Sequence, residues 1–253
     1  MREPNENESS RWWEFYFVRY AMGTVTGAIV FFFLCLANPV LKPLLFGTDS
    51  GTLDGARLAL LASYGLAYCY IASAPILVFH VGRYRLDTTE PTTNLCQQLL
   101  PLVGIPLAAT AIFYFTQMIG NESWLFLTSV FAFGMTLLWP QYVIIWRAIF
   151  GRKKLFDFYQ KLANKRSKAT PGGIVDSYKH MREHGNSFAI VLMEIVLAVF
   201  LYAVGSFEVQ SSGGVASINN SILPYVLVVI LWVLPAALVW FVGTLFEREF
   251  SGG

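Results

Sequence analysis

Long apolar runs separated by short polar stretches dominate the chain. Six of these runs reach about 20 residues, the length that a helix needs to cross the hydrocarbon core of a bilayer. They are Phe15–Asn38, Leu58–Phe79, Cys96–Met118, Trp124–Trp146, Phe188–Ser206 and Ile222–Phe246. The pattern therefore predicts an all-α integral membrane protein with about six transmembrane helices, in which the third and fourth form a tight hairpin.

Composition agrees with this prediction. Residues are 55% hydrophobic and 13% charged, whereas a soluble domain carries about 25% charged residues. The chain starts with acidic residues, and no small-residue cleavage site follows the first run, so we expect that run to remain as a span. Cys35, Cys69 and Cys96 form no CxxC pair, and we interpret them as small apolar helix residues.

The distribution of positive charge predicts the orientation. With the N-terminus in the cytoplasm, sixteen of the 18 Lys and Arg residues lie on the cytoplasmic side, and only Lys42 and Arg57 lie outside. This asymmetry is typical of membrane proteins, so we expect cytoplasmic termini. The predicted segments are an acidic N-terminal segment (1–14), four spans (15–150), a basic loop (151–187), two spans (188–246) and a C-terminal tail (247–253).

The basic loop carries a helical pattern. Leu155, Phe158, Tyr159 and Leu162 are spaced as one face of a helix, and a second helix starting near Asp176 is expected to run into the fifth span, giving a helical hairpin. The remaining faces are basic, with Arg152, Lys153, Lys154, Lys161, Lys165, Arg166 and Lys168. One explanation of this charge is positive-inside topology together with anionic lipids. The other is that the loop binds a nucleotide, an oligonucleotide or an acidic cytosolic protein.

Few ionisable groups lie inside the spans. Glu194 is about 7 residues, roughly 10 Å, inside the fifth span, and Arg19 lies at a matching depth of the first. We expect one of two arrangements: Glu194 and Arg19 form an ion pair, or Glu194 faces a polar path to which Gln97, Gln98 and Gln117 contribute. In a homo-oligomer, Glu194 would form an acidic ring of the kind that selects cations.

Small residues and prolines also mark the spans. Gly23 and Gly27 are four residues apart, which favours close helix packing within one subunit or between subunits. Prolines at 75, 101, 106, 140, 224 and 235 predict kinks, which are either ordinary curvature or the lining of a cavity.

Two motifs raise the question of enzymatic chemistry. His180, Glu183 and His184 match the H-x-x-E-H zinc pattern, but no third ligand is evident, so we expect neither metal nor cofactor. Arg182-Glu183-His184-Gly185-Asn186 resembles the R-x-H-x-N stretch of the MAPEG family of membrane enzymes, which implies a glutathione-handling site. That family usually carries Glu where this chain has Ala189.

The chain shows no nucleophile elbow, P-loop or dinucleotide fingerprint, and our leading hypothesis is a non-enzymatic, oligomeric, channel-like protein. Its short outer loops, acidic N-terminal segment and basic loop resemble the compact membrane effectors of bacterial antiphage defence, such as the Hailong type. That resemblance implies a pore gated by an anionic signal and a location in the bacterial inner membrane. The alternatives are a small transporter, a MAPEG-like enzyme, and a membrane anchor that recruits a cytosolic partner.

Overall fold

The computed structural model describes residues 6–47, 53–82, 103–117, 123–167, 174–211 and 222–251, and these ranges are helical with short connections and no strand. The helices are α1 (Glu6–Ala37), α2 (Lys42–Phe46), α3 (Gly55–Gly82), α4 (Ile105–Gln117), α5 (Ser123–Phe150), α6 (Arg152–Ser167), α7 (Ile174–Ser211) and α8 (Leu223–Ser251). The all-α prediction is therefore confirmed over this part of the chain.

Five helices are long and apolar enough to cross a membrane, which makes the chain a multi-pass membrane protein. The five segments are Tyr20–Ala37, Gly55–Gly82, Leu127–Phe150, Gly185–Ser206 and Leu223–Thr244. Of the predicted third span, the 13 residues of α4 are helical and pack along α5. Most of the remainder of that span, including Gln97 and Gln98, lies outside the described residues.

Two helices extend further than the apolar pattern predicts. Helix α1 begins at Glu6, so much of the predicted acidic segment continues the first span as helix. Helix α7 is a single helix of 38 residues that joins the second loop helix to the fifth span. It begins at Ile174, close to the predicted start at Asp176. The intervening residues 168–173 lie outside the described ranges.

Contacts divide the chain into two units. The first contains Met1–Ser73 and Pro171–Ile222, and the second contains Ala74–Thr170 and Leu223–Gly253. In the first unit, α1 packs along α7 and against α2. The first part of α3 runs antiparallel to α1, because Gly23 lies against Cys69 and Gly27 lies against Gly65.

Two apolar clusters form the core of the second unit. One holds Val78, Ile145 and Ala236, and the other holds Val81, Ala148, Leu155 and Val242. Residue numbers along α3, α5 and α8 rise together from the first cluster to the second, so these three segments run in the same direction. The six-span topology requires this relation between its second, fourth and sixth spans.

Helix α6 packs onto this core through its apolar face. Leu155 is 1% exposed, Phe158 and Tyr159 pack against the same cluster, and the ring of Phe156 stacks on Phe246. This confirms the predicted helical face. Arg152, Lys153, Lys154 and Lys161 are exposed on the same helix.

Only some of the prolines interrupt a helix. Pro75, Pro140 and Pro235 lie within helices, whereas those at 106 and 224 fall in the first turn of α4 and α8. Proline there removes no hydrogen bond, because the first N–H groups of a helix have no helical acceptor.

The hydrogen bond lost at Pro235 is replaced from another helix. In a regular helix, the carbonyl of Leu231 would accept from the N–H of residue 235, which proline lacks. The Tyr142 hydroxyl on α5 donates to that carbonyl instead, at 2.8 Å. A membrane interior offers no water for this role, so the bond satisfies the Leu231 carbonyl and ties α5 to α8.

Replacing Leu155 with Ala is expected to lower the thermal stability of the detergent-solubilised protein. The substitution empties a buried position outside the spans, and such changes cost about 2–5 kcal/mol. Lys153→Ala, on the exposed face of the same helix, is the matched control and should leave the melting temperature nearly unchanged. Equal shifts in the two variants would contradict the packing of α6 on the core.

Candidate functional site

The carboxyl group of Glu194 on α7 is enclosed by the first unit. The residue is 0% exposed and lies about nine residues, roughly 14 Å, from the start of the Gly185–Ser206 span. Neither carboxyl oxygen has a hydrogen-bond partner among the described residues. Burying a carboxylate without a partner is costly, so its surroundings decide what the group can do.

The two glycines of α1 create the space for this carboxyl group. A Cβ atom placed on either Gly23 or Gly27 would lie 3.4 Å from Oε1 of Glu194. The carboxyl group therefore packs directly against a bare stretch of helix backbone. In this structure, the predicted small-residue motif serves packing within one chain and forms one wall of a polar niche.

Helix α3 closes the niche from another side. Its small residues Gly65 and Cys69 are also four apart, and they meet Gly27 and Gly23 in antiparallel order. A Cβ on Gly27 would come within 2.5 Å of the Gly65 carbonyl oxygen, and a Cβ on Gly65 within 2.5 Å of the Thr24 carbonyl oxygen. Real Cβ atoms do not approach that closely, so the contact requires glycine at both positions.

Two polar side chains of α3 face α7 at this level. The Tyr68 hydroxyl donates a buried hydrogen bond of 2.8 Å to the backbone carbonyl of Glu194, which fixes the register of α3 against α7. The Cys69 thiol lies beside the carboxyl group. A thiol is a weak donor, and no hydrogen bond of normal geometry reaches either carboxyl oxygen.

The niche thus holds one carboxyl group, one thiol and the backbone of two glycines. Such a site can bind and release a proton or receive a small cation, and it repels anions. It does not supply the six or more oxygen ligands that calcium prefers. Within the described residues, no group of three His, Cys, Asp or Glu side chains could hold a metal ion.

Arg19 lies one helical turn from Gly23, and the four-residue spacing places both positions on the same face of α1. The structure does not describe the side chain of Arg19, so the ion pair with Glu194 stays a prediction. Gln117 is the last residue of α4, in the second unit. The structure does not describe its side chain either. The polar path through the three Gln residues is therefore untested.

The predicted basic residues and the two motifs are described only in part. Four basic side chains are exposed on α6, Lys165 and Arg166 continue the same helix, and Lys168 falls outside the described residues. His180, Arg182, Glu183 and His184 lie on the helical backbone of α7, where the two His positions are one turn apart. Their side chains are not described, so the zinc and MAPEG hypotheses stay predictions.

Sequence reasoning missed several residues of interest. It did not single out Tyr68 or Gly65, and it interpreted Cys69 as an apolar helix residue. It also passed over Gln141, which is 0% exposed and donates from its amide to the Leu137 carbonyl at 3.0 Å, while its Oε1 has no partner among the described residues. A polar residue inside a predicted span was the available signal for Gln141.

Replacing Gly27 with Ala should destabilise the first unit, because the new Cβ would collide with the backbone of α3. Overpacking of this kind costs about 1–3 kcal/mol, which thermal unfolding in detergent would detect. Gly243→Ala on α8 is the matched control, since nothing lies within 4 Å of its Cβ position. A Gly27→Ala protein with the same melting temperature as the Gly243→Ala control would contradict the close contact of α1 and α3.

Comparison with protein-family models, with curated proteins and with solved structures finds no match for this chain. Function is therefore inferred from the chemistry of the Glu194 niche and of the exposed basic face of α6.

Proposed function

We propose that this protein is an oligomeric, channel-like membrane protein that moves small cations, protons foremost, across the bilayer by way of Glu194. The observation that carries the proposal is a fully buried carboxyl group, in a membrane-spanning helix, whose oxygens have no partner among the described residues. Ionisable groups inside a membrane are costly and mark ion paths and proton relays.

The composition of the niche favours the proton. Cations larger than a proton need several oxygen ligands, and the neighbours of the Glu194 carboxyl group are a thiol and two glycines. The Tyr68 hydroxyl is directed at a backbone carbonyl. A single carboxyl group needs no further ligand in order to exchange a proton.

The burial of Glu194 also indicates where in the oligomer the ion path runs. An acidic ring around an oligomer axis would place the carboxyl group on an outer face of each subunit, whereas Glu194 is 0% exposed in the single chain. This favours a path inside each protomer. The same enclosure supports a carrier as the second candidate, in which the group opens alternately to either side and flux saturates with the ion gradient.

Replacing Glu194 with Gln should reduce proton flux to the background of empty vesicles, because the amide keeps the shape but cannot exchange a proton. Flux is measured in liposomes with an internal pH-sensitive dye, after a pH step and a potassium diffusion potential. Glu247→Gln, an exposed carboxylate on α8, is the matched control and should conduct like the wild type.

An Arg19→Gln variant separates ion transfer from a structural ion pair. If Glu194 only pairs with Arg19, both single variants melt at lower temperature and wild-type vesicles show no flux above background. Flux that survives in Glu194→Gln would also contradict the proposal.

The exposed face of α6 supports a role in gating. The apolar face of α6 is packed on the core of the second unit, whereas the basic side chains of Arg152, Lys153, Lys154 and Lys161 are exposed. We infer that this basic face receives an anionic ligand or partner, as a gated effector would require. Such an interaction weakens as salt screens the charges.

Flux should change when anionic nucleotides or short oligonucleotides are added on the side of the basic face. Neutralising Lys153, Lys154 and Lys161 together to Gln should abolish this response while leaving basal flux intact, because none of the three lies at the Glu194 niche. Lys42→Gln, an exposed cation of the first unit, is the control and should respond normally. An unchanged response in the triple variant would remove the basic face from gating.

A further inference from the structure

The second unit contains an apolar cleft that the proposed function does not use. It is an open cleft of about 480 Å³ along α5, lined by Trp139, Tyr142, Val143, Ile145, Trp146, Arg147 and Ile149 and, from α8, by Leu238. This volume lies within the roughly 300–1,000 Å³ of small-molecule sites. From Trp139 to Ile149 the cleft follows α5 for about 15 Å, an elongated shape that suits a chain rather than a compact ligand.

The walls of the cleft offer almost no polar surface. The Tyr142 hydroxyl donates a hydrogen bond of 2.8 Å to the Leu231 carbonyl, so Tyr142 contributes mainly its ring to the cleft. Ile145, also part of the lining, is 2% exposed, whereas Trp146 is 65% exposed in the chain. An exposed side chain of a transmembrane helix faces the bilayer, so the cleft opens towards lipid.

Charge is concentrated at one end of this cleft. Arg147 is its charged lining residue, and α5 ends three residues later at Phe150. The exposed Arg152 and Lys153 follow directly on α6. A guanidinium binds phosphate oxygens through two parallel hydrogen bonds, and Trp146 is of the residue type that marks the level of lipid headgroups.

We infer that this cleft is a binding site for an anionic phospholipid, with one acyl chain between α5 and α8 and the phosphate at Arg147. The apolar walls select the acyl chain, and the positive charge at the end of α5 selects a headgroup of net negative charge. The inference is independent of ion movement at Glu194, which lies in the other unit.

Native mass spectrometry of the full chain in detergent tests the inference. The protein is mixed with equal amounts of phosphatidylglycerol and phosphatidylcholine that carry identical acyl chains, and the retained lipid is identified. We expect the wild type to retain phosphatidylglycerol several-fold more than phosphatidylcholine. Arg147→Gln should remove this preference, and Val143→Trp, which fills the cleft, should reduce retention of both lipids.

Two control variants keep the test specific. Val199→Trp adds the same bulk to an exposed position of α7, and Lys42→Gln removes an exposed positive charge on α2, outside the cleft and the basic face; both should bind like the wild type. Equal retention of the two lipids by the wild type would overturn the inference. An undiminished preference in Arg147→Gln would overturn the placement of the phosphate, even if Val143→Trp fails to fold.

Discussion

The arrangement of the first unit depends on one contact, in which the backbones of α1 and α3 meet at Gly27 and Gly65. Two helices approach this closely only where neither carries a side chain, and small residues serve this purpose throughout membrane proteins. The same lack of side chains leaves the space that the Glu194 carboxyl group fills. Close packing and the polar niche therefore have one cause, and a change that separates the helices also changes the niche.

Polar groups inside a membrane must find partners within the protein, and this chain does so at two notable places. Tyr142 supplies the hydrogen bond that Pro235 removes from Leu231, and Tyr68 binds the backbone carbonyl of Glu194. The carboxyl oxygens of Glu194, like Oγ1 of Thr128 and Oε1 of Gln141, have no such partner among the described residues. The contact between α3 and α7 thus satisfies the backbone carbonyl of Glu194, while the carboxyl oxygens of the same residue have no partner among the described residues.

Much of the fold follows from the sequence, because span length and helical periodicity are local properties. Five of the six predicted spans correspond to long apolar helices, and the spacing of Leu155, Phe158 and Tyr159 identified the buried face of α6. The start of α1 at Glu6 was missed because the polar residues before Phe15 carry no apolar pattern, although they are compatible with helix.

The site was less accessible to sequence reasoning, because its members come from three helices. Glu194, Gly23 and Gly27 were each recognisable as unusual residues of a span. Their meeting with Gly65 and Cys69 depends on which faces of α1, α3 and α7 pack together, and no local pattern specifies that. The small pair on α3 escaped notice because cysteine was interpreted as an apolar residue, although its size also suits a close helix contact.

The niche lies on α7, the longest helix in the described part of the chain, and α7 is continuous to its polar end. With 38 residues, α7 is about 57 Å long, whereas the hydrocarbon core is about 30 Å thick. Its N-terminal part, which carries His180 and His184, therefore extends well beyond the span that contains Glu194. No proline interrupts α7, so this polar end and Glu194 belong to one continuous helix. Since Tyr68 holds α3 to the carbonyl of the same residue, a movement of α7 would have to break this bond or carry α3 along. The position of the niche is therefore tied to α3 as well as to the polar end of α7.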